Sequence, residues 1–203
     1  MTRQIVVTTL PQGTLGPEHF ELQEVDQPTP GDGEVLLRVI LMSIDAANRS
    51  WLQGATYRDA VRPGDAMPTY AICEVIESGS PRLAPGDLVG AEAVWADHVV
   101  RPAHKVQKVP NLSPLTHLLS VYGIAGKTAF HGLMQIGQPL AGETIVVSAA
   151  AGSVGGYVGQ IGKALGCRVV GIAGGPEKCA YVTGTLGFDA CVDYRAGGVF
   201  KAL

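Results

Sequence analysis

The stretch from Thr144 to Lys178 restricts the fold more than any other part of the chain. It opens on a short apolar run, Thr144–Ala149, and passes a turn of small residues. It then continues at helical spacing and closes on a second apolar run, Cys167–Ala173. Apolar runs this short and this continuous suit strands buried on both faces of a parallel sheet. Between them Val154, Val158, Ile161 and Leu165 recur on one helical face, and Gly166 is placed to end the helix. The spacing predicts a strand, a helix and a parallel strand, the repeating unit of a doubly wound α/β sheet. A third strand is expected at Ala190–Asp193.

The turn after the first strand carries the chemistry. Ala149, Gly152 and Gly155 fit the pattern A-x-x-G-x-x-G. Gly152 is expected to let the chain turn with no Cβ in the way, and Gly155 and Gly156 to let the helix approach closely. The free N–H groups and the dipole at the helix start would favour a pyrophosphate, with Ser153 adding a hydroxyl donor. A glycine pattern alone also serves helix–strand packing. The intact strand–helix–strand setting is what makes nucleotide binding the better reading here.

The end of the second strand selects the nucleotide. An NAD site commonly places Asp or Glu there, to accept from the ribose hydroxyls. This chain instead reads Ile172-Ala173-Gly174-Gly175, followed by Pro176, which suits the first turn of a new helix, and by Lys178 within that turn. A cation beside a carboxylate-free, glycine-lined pocket suits the extra phosphate of NADP(H). Glu177 is the sequence neighbour of Lys178, but neighbours point about 100° apart on a helix. The cofactor read from these residues is NADP(H) rather than NAD(H).

Upstream, the chain is β-rich. Ile5–Thr8, Val35–Ile44, Tyr70–Glu77, Leu88–Trp95, Val99 and Val106–Val109 are short β-favouring runs separated by Pro/Gly/Asp turns such as Pro85-Gly86-Asp87. Short strands with regular turn signals suggest a partly closed β-barrel or sandwich. Helical spacing begins after Asn111, with Leu115, Leu118, Leu119 and Tyr122, then Ala129, Leu133 and Ile136. Two domains follow, a β-rich one over 1–120 and a nucleotide-binding one over 121–203.

Composition excludes several classes. Hydrophobic residues at 46% against 16% charged supply ample core material, and the net charge of −3 argues against nucleic acid or an anionic membrane as partner. The four cysteines, Cys73, Cys167, Cys179 and Cys191, form no C-x-x-C pair, so a reduced, cytoplasmic setting is the expectation. The N-terminus has no signal-peptide core, and no apolar run approaches the roughly 20 residues needed to span a bilayer. His19, His98, His104, His117 and His131 are scattered without metal-ligand spacing, so no metal is expected.

Several segments together resemble the zinc-independent medium-chain dehydrogenase/reductases. SAAAGSVGG, GQIGKALGCRVVGIAGG and GFDACVDYR are similar to the nucleotide-binding segments of the leukotriene B4 12-hydroxydehydrogenase/prostaglandin reductase branch, which includes alkenal double-bond reductases. YGIAGKTAFHGLMQIGQPLAGETIVV resembles its linker helix and first nucleotide strand, and LMSIDAANR and the PGDLV and VWADHVV segments resemble its barrel. The resemblance implies a GroES-like barrel followed by a Rossmann-type sheet. It implies that Gly152, Ser153, Val154 and Gly155 contact the pyrophosphate, that Lys178 meets the 2′-phosphate beside Gly174, and that Tyr194 lines the same site. Thr128, in Gly126-Lys127-Thr128-Ala129, lies either near the phosphates or nicotinamide or simply on a helix face. Asp45-Ala46-Ala47-Asn48-Arg49 departs from the aromatic and arginine of many relatives, which alters the substrate pocket. Tyr57 either lines that pocket or packs in its loop.

The function implied is reduction of the C=C bond of α,β-unsaturated aldehydes or ketones, with hydride passing from NADPH to the β-carbon. A non-catalytic nucleotide-binding or interaction module, and a quinone-reductase-like enzyme, are the alternatives. Ile145–Leu203 holds about one of the two halves of a dinucleotide fold, and Lys201-Ala202-Leu203 would begin a helix that stops. The family's tyrosine near the enolate oxygen falls beyond Leu203, so no catalytic residue is assigned within the chain. A chain truncated in this way is expected to show little turnover alone, and to form homo-oligomers or recruit a complementing C-terminal chain through unpaired strand edges.

Overall fold

The computed structural model describes residues 1–199, and the expected helix at Lys201–Leu203 lies outside them. The chain divides into two compact units, Met1–Leu119 and the part from Ser120 onward.

In the first unit, β1 (Thr2–Val7) pairs antiparallel with β2 (Phe20–Val25), from Thr2 opposite Val25 to Val7 opposite Phe20. β3 (Glu34–Met42) leads into a short helix, α1 (Ala46–Trp51), and then into β4 (Pro68–Ser78), β5 (Leu88–Val94), β6 (His98–Pro102) and β7 (Gln107–Lys108). These five strands form one antiparallel sheet in the order β6-β3-β4-β5-β7. Its inner face buries Val35, Leu37, Ala71, Cys73, Val75, Val89, Ala91 and Val99, the β-branched and small residues that pack on a pleated surface. β1 is stitched across the sheet end by Ile5 N–H to Trp95 O (2.7 Å), Met67 N–H to Ile5 O (3.0 Å) and Asp97 N–H to Arg3 O (2.9 Å). The result is a partly closed barrel. A second cluster of Val7, Trp51, Leu52, Val61 and Met67 fills the space beneath these stitches.

Two elements of this unit have little apolar signature. β2 keeps Leu22 62% exposed, so its residues show no buried alternation. α1 rests on its cap. Asp45 accepts from the Ala47 amide (2.9 Å), Asn48 accepts from the Asp45 amide (2.8 Å), and the buried Asn48 amide group donates to Pro68 O (3.0 Å).

In the second unit, α2 (Ile124–His131) runs into one π-helical stretch, Gly132–Gly137, and is followed by β8 (Thr144–Val147), α3 (Ser153–Ala164), β9 (Arg168–Ala173), α4 (Pro176–Gly184) and β10 (Ala190–Asp193). The helical spacing read after Asn111 is thus not one helix. Leu115–Leu118 forms a 3-10 turn in the first unit, and only Ile124–His131 is α-helical. The three strands are all parallel, in the order β10-β9-β8, which is the 3-2-1 order of a Rossmann half. No helix among the described residues is long and apolar enough to cross a membrane.

The expected apolar face of α3 needs correction. Val154 is 38% exposed, and the buried face consists of Gly156, Gly159 and Gly162, flanked by the partly buried Val158 and Leu165. The reason is close approach. A Cβ on Gly159 would lie 1.8 Å from Cζ of the buried Phe188, and one on Gly162 would lie 2.3 Å from Ile145 Cδ1. Here glycine replaces the apolar side chain as the interface residue.

Candidate functional site

Because β8, β9 and β10 run parallel, their C-terminal ends share one edge of the sheet, and the sequence-expected residues gather there. Ser148–Ala151 forms the turn after β8, and the Ala150 amide donates to Ile172 O (3.0 Å), fastening that turn to the end of β9. Gly152 then caps α3, and Ser153, Val154 and Gly155 form its first turn. No side chain caps this helix start. Helical geometry leaves the amides of Ser153, Val154 and Gly155 without intrahelical acceptors, on an exposed end where the dipole is positive.

The turn works differently from the sequence expectation in one respect. Gly152 is extended (φ −85°, ψ 172°), and the left-handed residue is Ala149 at φ +50°. Gly152 matters for space, since a Cβ there would sit 3.0 Å from Ala149 O. Gly155 matters more, because its Cβ would lie 2.4 Å from the same backbone oxygen. Helix α3 therefore packs directly against the carbonyl of the strained turn.

The second wall follows β9. Gly174 and Gly175 lead into α4, with Gly175 at φ +94° as its cap and Pro176 in the first helical turn. The Gly175 amide donates to Asp193 Oδ1 (2.8 Å), and the Arg195 amide donates to the same oxygen (2.9 Å). These two amides hold the Asp193 carboxyl below the usual carboxylate range. Tyr194 lies over Gly174 so closely that a Cβ on Gly174 would be 2.7 Å from the tyrosine hydroxyl. The Arg195 guanidinium is 6.0 Å from the Tyr194 ring centroid, and its Nη1 lies 3.9 Å from where a Gly175 Cβ would be. Lys178 is exposed in the first turn of α4 and forms no ion pair among the described residues.

The structure thus brings Gly152, Ser153, Val154, Gly155, Gly174, Lys178 and Tyr194 to one sheet edge. Sequence reasoning missed Arg195 and Asp193, although the Asp-Tyr-Arg run at the end of a strand was visible. It also missed Ala149 as the strained residue. Thr128 lies on α2, which packs against α3. It stands exposed on α2, between the buried Ala125 and Ala129.

Tyr57 belongs to the first unit. It is 80% exposed, meets Trp51 edge-on (6.1 Å, 84°), and lines a cavity of about 740 Å³ with Ala55, Arg58, Val61, Pro68 and Val94. Arg58 stacks over Trp51 at 4.5 Å, which steadies the loop. Among the described residues no three of His, Cys, Asp and Glu converge as a metal-ligand group.

Residues 3–109, just over half of the chain, match a family described as the N-terminal domain of oxidoreductase. The NADPH-dependent curcumin reductase of Escherichia coli is 42% identical over 201 residues, which cover 96% of this chain and 57% of that protein. The NADP(+)-dependent 2-alkenal reductase of Nicotiana tabacum is 34% identical, covering 81% of this chain and 49% of that one. The chain belongs to the medium-chain dehydrogenase/reductases, in their prostaglandin and alkenal reductase branch. Within that family, the structure of CurA from Vibrio vulnificus in complex with NADPH superposes with a TM-score of 0.87 at 41% identity, over 96% of this chain and 58% of that one. The chain therefore spans 49% to 58% of the length of these family members.

Proposed function

We propose that this chain supplies the barrel and the first nucleotide half of an NADP(H)-dependent reductase acting on the C=C bond of α,β-unsaturated aldehydes or ketones. The observation that carries the reading is the pairing of an uncapped helix start at Gly152–Gly155 with a glycine turn flanked by Lys178 and Arg195, on which the Asp193 carboxylate is taken up by two backbone amides. The names of the matched proteins, a curcumin reductase and a 2-alkenal reductase that use NADPH or NADP(+), support the same cofactor and substrate class.

The residues present fit the cofactor. The amides of Ser153, Val154 and Gly155 offer donors to a pyrophosphate, at a helix start that the missing Cβ of Gly155 lets sit directly against the turn. Lys178 and Arg195 offer two cations to a 2′-phosphate, and Asp193 is engaged by two backbone amides, which leaves its charge partly satisfied. Tyr194 closes the site over Gly174. NADPH held there would supply hydride from nicotinamide C4 to the β-carbon of the alkene. Thr128 is proposed to line the phosphate or nicotinamide side, and Tyr57 and the cavity beside it to contact the small-molecule enal or enone. β8 pairs only with β9 among the described residues, and Val146 is 51% exposed. We place a further strand on that edge, from a second copy or from a C-terminal segment.

Calorimetric titration with NADPH and NADH, repeated on Lys178→Ala, tests the reading. Tighter binding of NADPH than NADH is expected, and the substitution should weaken NADPH alone by about 10- to 100-fold, the size of one charge-assisted hydrogen bond. Absence of binding to either dinucleotide overturns it.

A further inference from the structure

Helix α4 and strand β10 carry the two sides of the proposed 2′-phosphate site, and they also carry two cysteines. Cys179 follows Lys178 in α4, and Cys191 lies two residues before Asp193 in β10. Their sulfurs are 3.2 Å apart, with the Cys191 thiol donating to Cys179 Sγ, and the residues are twelve apart in sequence. Both are half-buried, so solvent-borne oxidants reach the pair, whereas Cys73 and Cys167 are buried. A disulfide needs an S–S distance of about 2 Å, so closure requires a movement of about 1 Å.

We propose that Cys179 and Cys191 form a reversible redox pair whose disulfide locks α4 to β10 and weakens the binding of a 2′-phosphorylated dinucleotide. The consequence for the dinucleotide rests on the cofactor reading above. The disulfide itself does not.

With hydrogen peroxide as oxidant the step balances. The Cys179 sulfur, as thiolate, attacks a peroxide oxygen, so an S–O bond forms, the O–O bond breaks, and hydroxide leaves and is protonated to water. The Cys191 sulfur then attacks Cys179 Sγ, so the S–S bond forms and the S–OH bond breaks. The departing hydroxide takes the Cys191 proton and leaves as the second water. Two electrons pass from the pair to the peroxide, and a dithiol reductant reverses the change. Burial, and then the hydrogen bond with Cys179, push the Cys191 thiol up to about 12. Cys191 is thereby held as the protonated thiol and serves as the resolving partner.

The link to the site is geometric. Tyr194 already rests against Gly174 without room for a methyl group. Drawing the first turn of α4 toward β10 displaces Lys178 relative to Tyr194 and Arg195. A phosphate site held by two cations loses affinity when one is moved by about 1 Å.

The test treats the chain with hydrogen peroxide and then with dithiothreitol. Intact mass and peptide mapping follow the thiols, and NADPH and NADH titrations follow the site. Expected are the loss of two hydrogens, a Cys179–Cys191 cross-linked peptide, and about tenfold weaker NADPH binding. NADH affinity should be unchanged, and reduction should restore the starting state. Cys179→Ser and Cys191→Ala should bind NADPH as the reduced chain does, and peroxide should give no cross-linked peptide in either. Thiols that remain free to alkylation after peroxide overturn the pair, and a cross-link without loss of NADPH affinity overturns its coupling to the site. If the reduced chain binds neither dinucleotide, the cofactor reading fails and the coupling falls with it, while the cross-linked peptide still decides the disulfide.

Discussion

The amide of Gly175 donates to the carboxylate of Asp193 across 18 positions of sequence, at 2.8 Å. That bond joins the turn after β9 to the end of β10 and holds Gly175 at φ +94°, a conformation that suits glycine. The same carboxylate oxygen takes the Arg195 amide, so one side chain fixes both walls of the candidate 2′-phosphate site.

The Asp193 bond should appear as a pH-dependent contribution to stability. Its carboxyl is held down chiefly by the Gly175 amide and then by the Arg195 amide. A lowered folded value means the contribution is present above the unfolded value of about 3.9 and is lost as pH falls through the folded one. Asp193→Asn should therefore melt below the wild type at neutral pH, and the gap should close as acidification carries the pH below the unfolded value and through the folded one. Asp87, Asp97 and Asp189 are also held down, but they are present in both proteins and cancel. Thermal melts across that range check this, and a gap that does not change with pH would reject it.

Arg195 should act on the phosphate and not on the rest of the dinucleotide. Arg195→Ala is expected to weaken NADPH about 5- to 20-fold with NADH unchanged, and to reduce the salt dependence of NADPH binding. Arg195→Lys should recover only part of the loss, because it keeps the charge but not the planar fork. Titrations at two ionic strengths would measure both effects. Equal losses for NADPH and NADH would place Arg195 outside the phosphate site.

Much of this site was legible because each cue had a strict local cause. The apolar runs at Thr144–Val147 and Arg168–Ala173 are short and continuous enough to read as parallel strands, and the glycines between them fit one turn. What escaped had a tertiary cause. Glycine inside a helix ordinarily weakens it, and only the positions of Phe188 and Ile145 reveal Gly159 and Gly162 as the packing surface. β2 has no buried alternation to detect, with Leu22 outward, and its existence depends on β1. Arg195 is one charged residue beyond a strand. Its relation to Gly175 depends on the parallel pairing of β9 and β10. α1 was readable in principle from Asp45 and Asn48, a capping pair three apart, but six residues give too little periodicity.

The strained turn should respond in opposite senses at its two ends. Ala149 holds φ +50°, which costs a residue with a Cβ roughly 1–2 kcal/mol. Ala149→Gly relieves that and loses about 0.4–1 kcal/mol through the freer unfolded chain, so stability should rise by up to about 1 kcal/mol. Gly155→Ala places a methyl group 2.4 Å from Ala149 O, a backbone atom that can move only with the turn. A loss of about 1–3 kcal/mol is expected, together with loss of dinucleotide binding. Urea unfolding of both variants, with NADPH titration, decides between this and a turn that tolerates either change.

The glycine face of α3 can be tested by making one substitution at two sites. Gly184 ends α4 with nothing within 4 Å of its would-be Cβ, whereas the Cβ of a residue at 159 falls 1.8 Å from the ring of Phe188, itself 4% exposed. Alanine is worth up to about 1 kcal/mol over glycine in a helix, less at its last turn, so Gly184→Ala should be neutral to mildly stabilising. Gly159→Ala gains the same propensity but must displace a packed ring, at about 1–3 kcal/mol, and should lose stability overall. Shortening the obstacle should restore part of the loss. Gly159→Ala combined with Phe188→Leu is expected to be more stable than the sum of the single changes by about 1 kcal/mol. Strict additivity in urea denaturation would mean that α3 and Phe188 do not meet as described, and that the close helix approach has another cause.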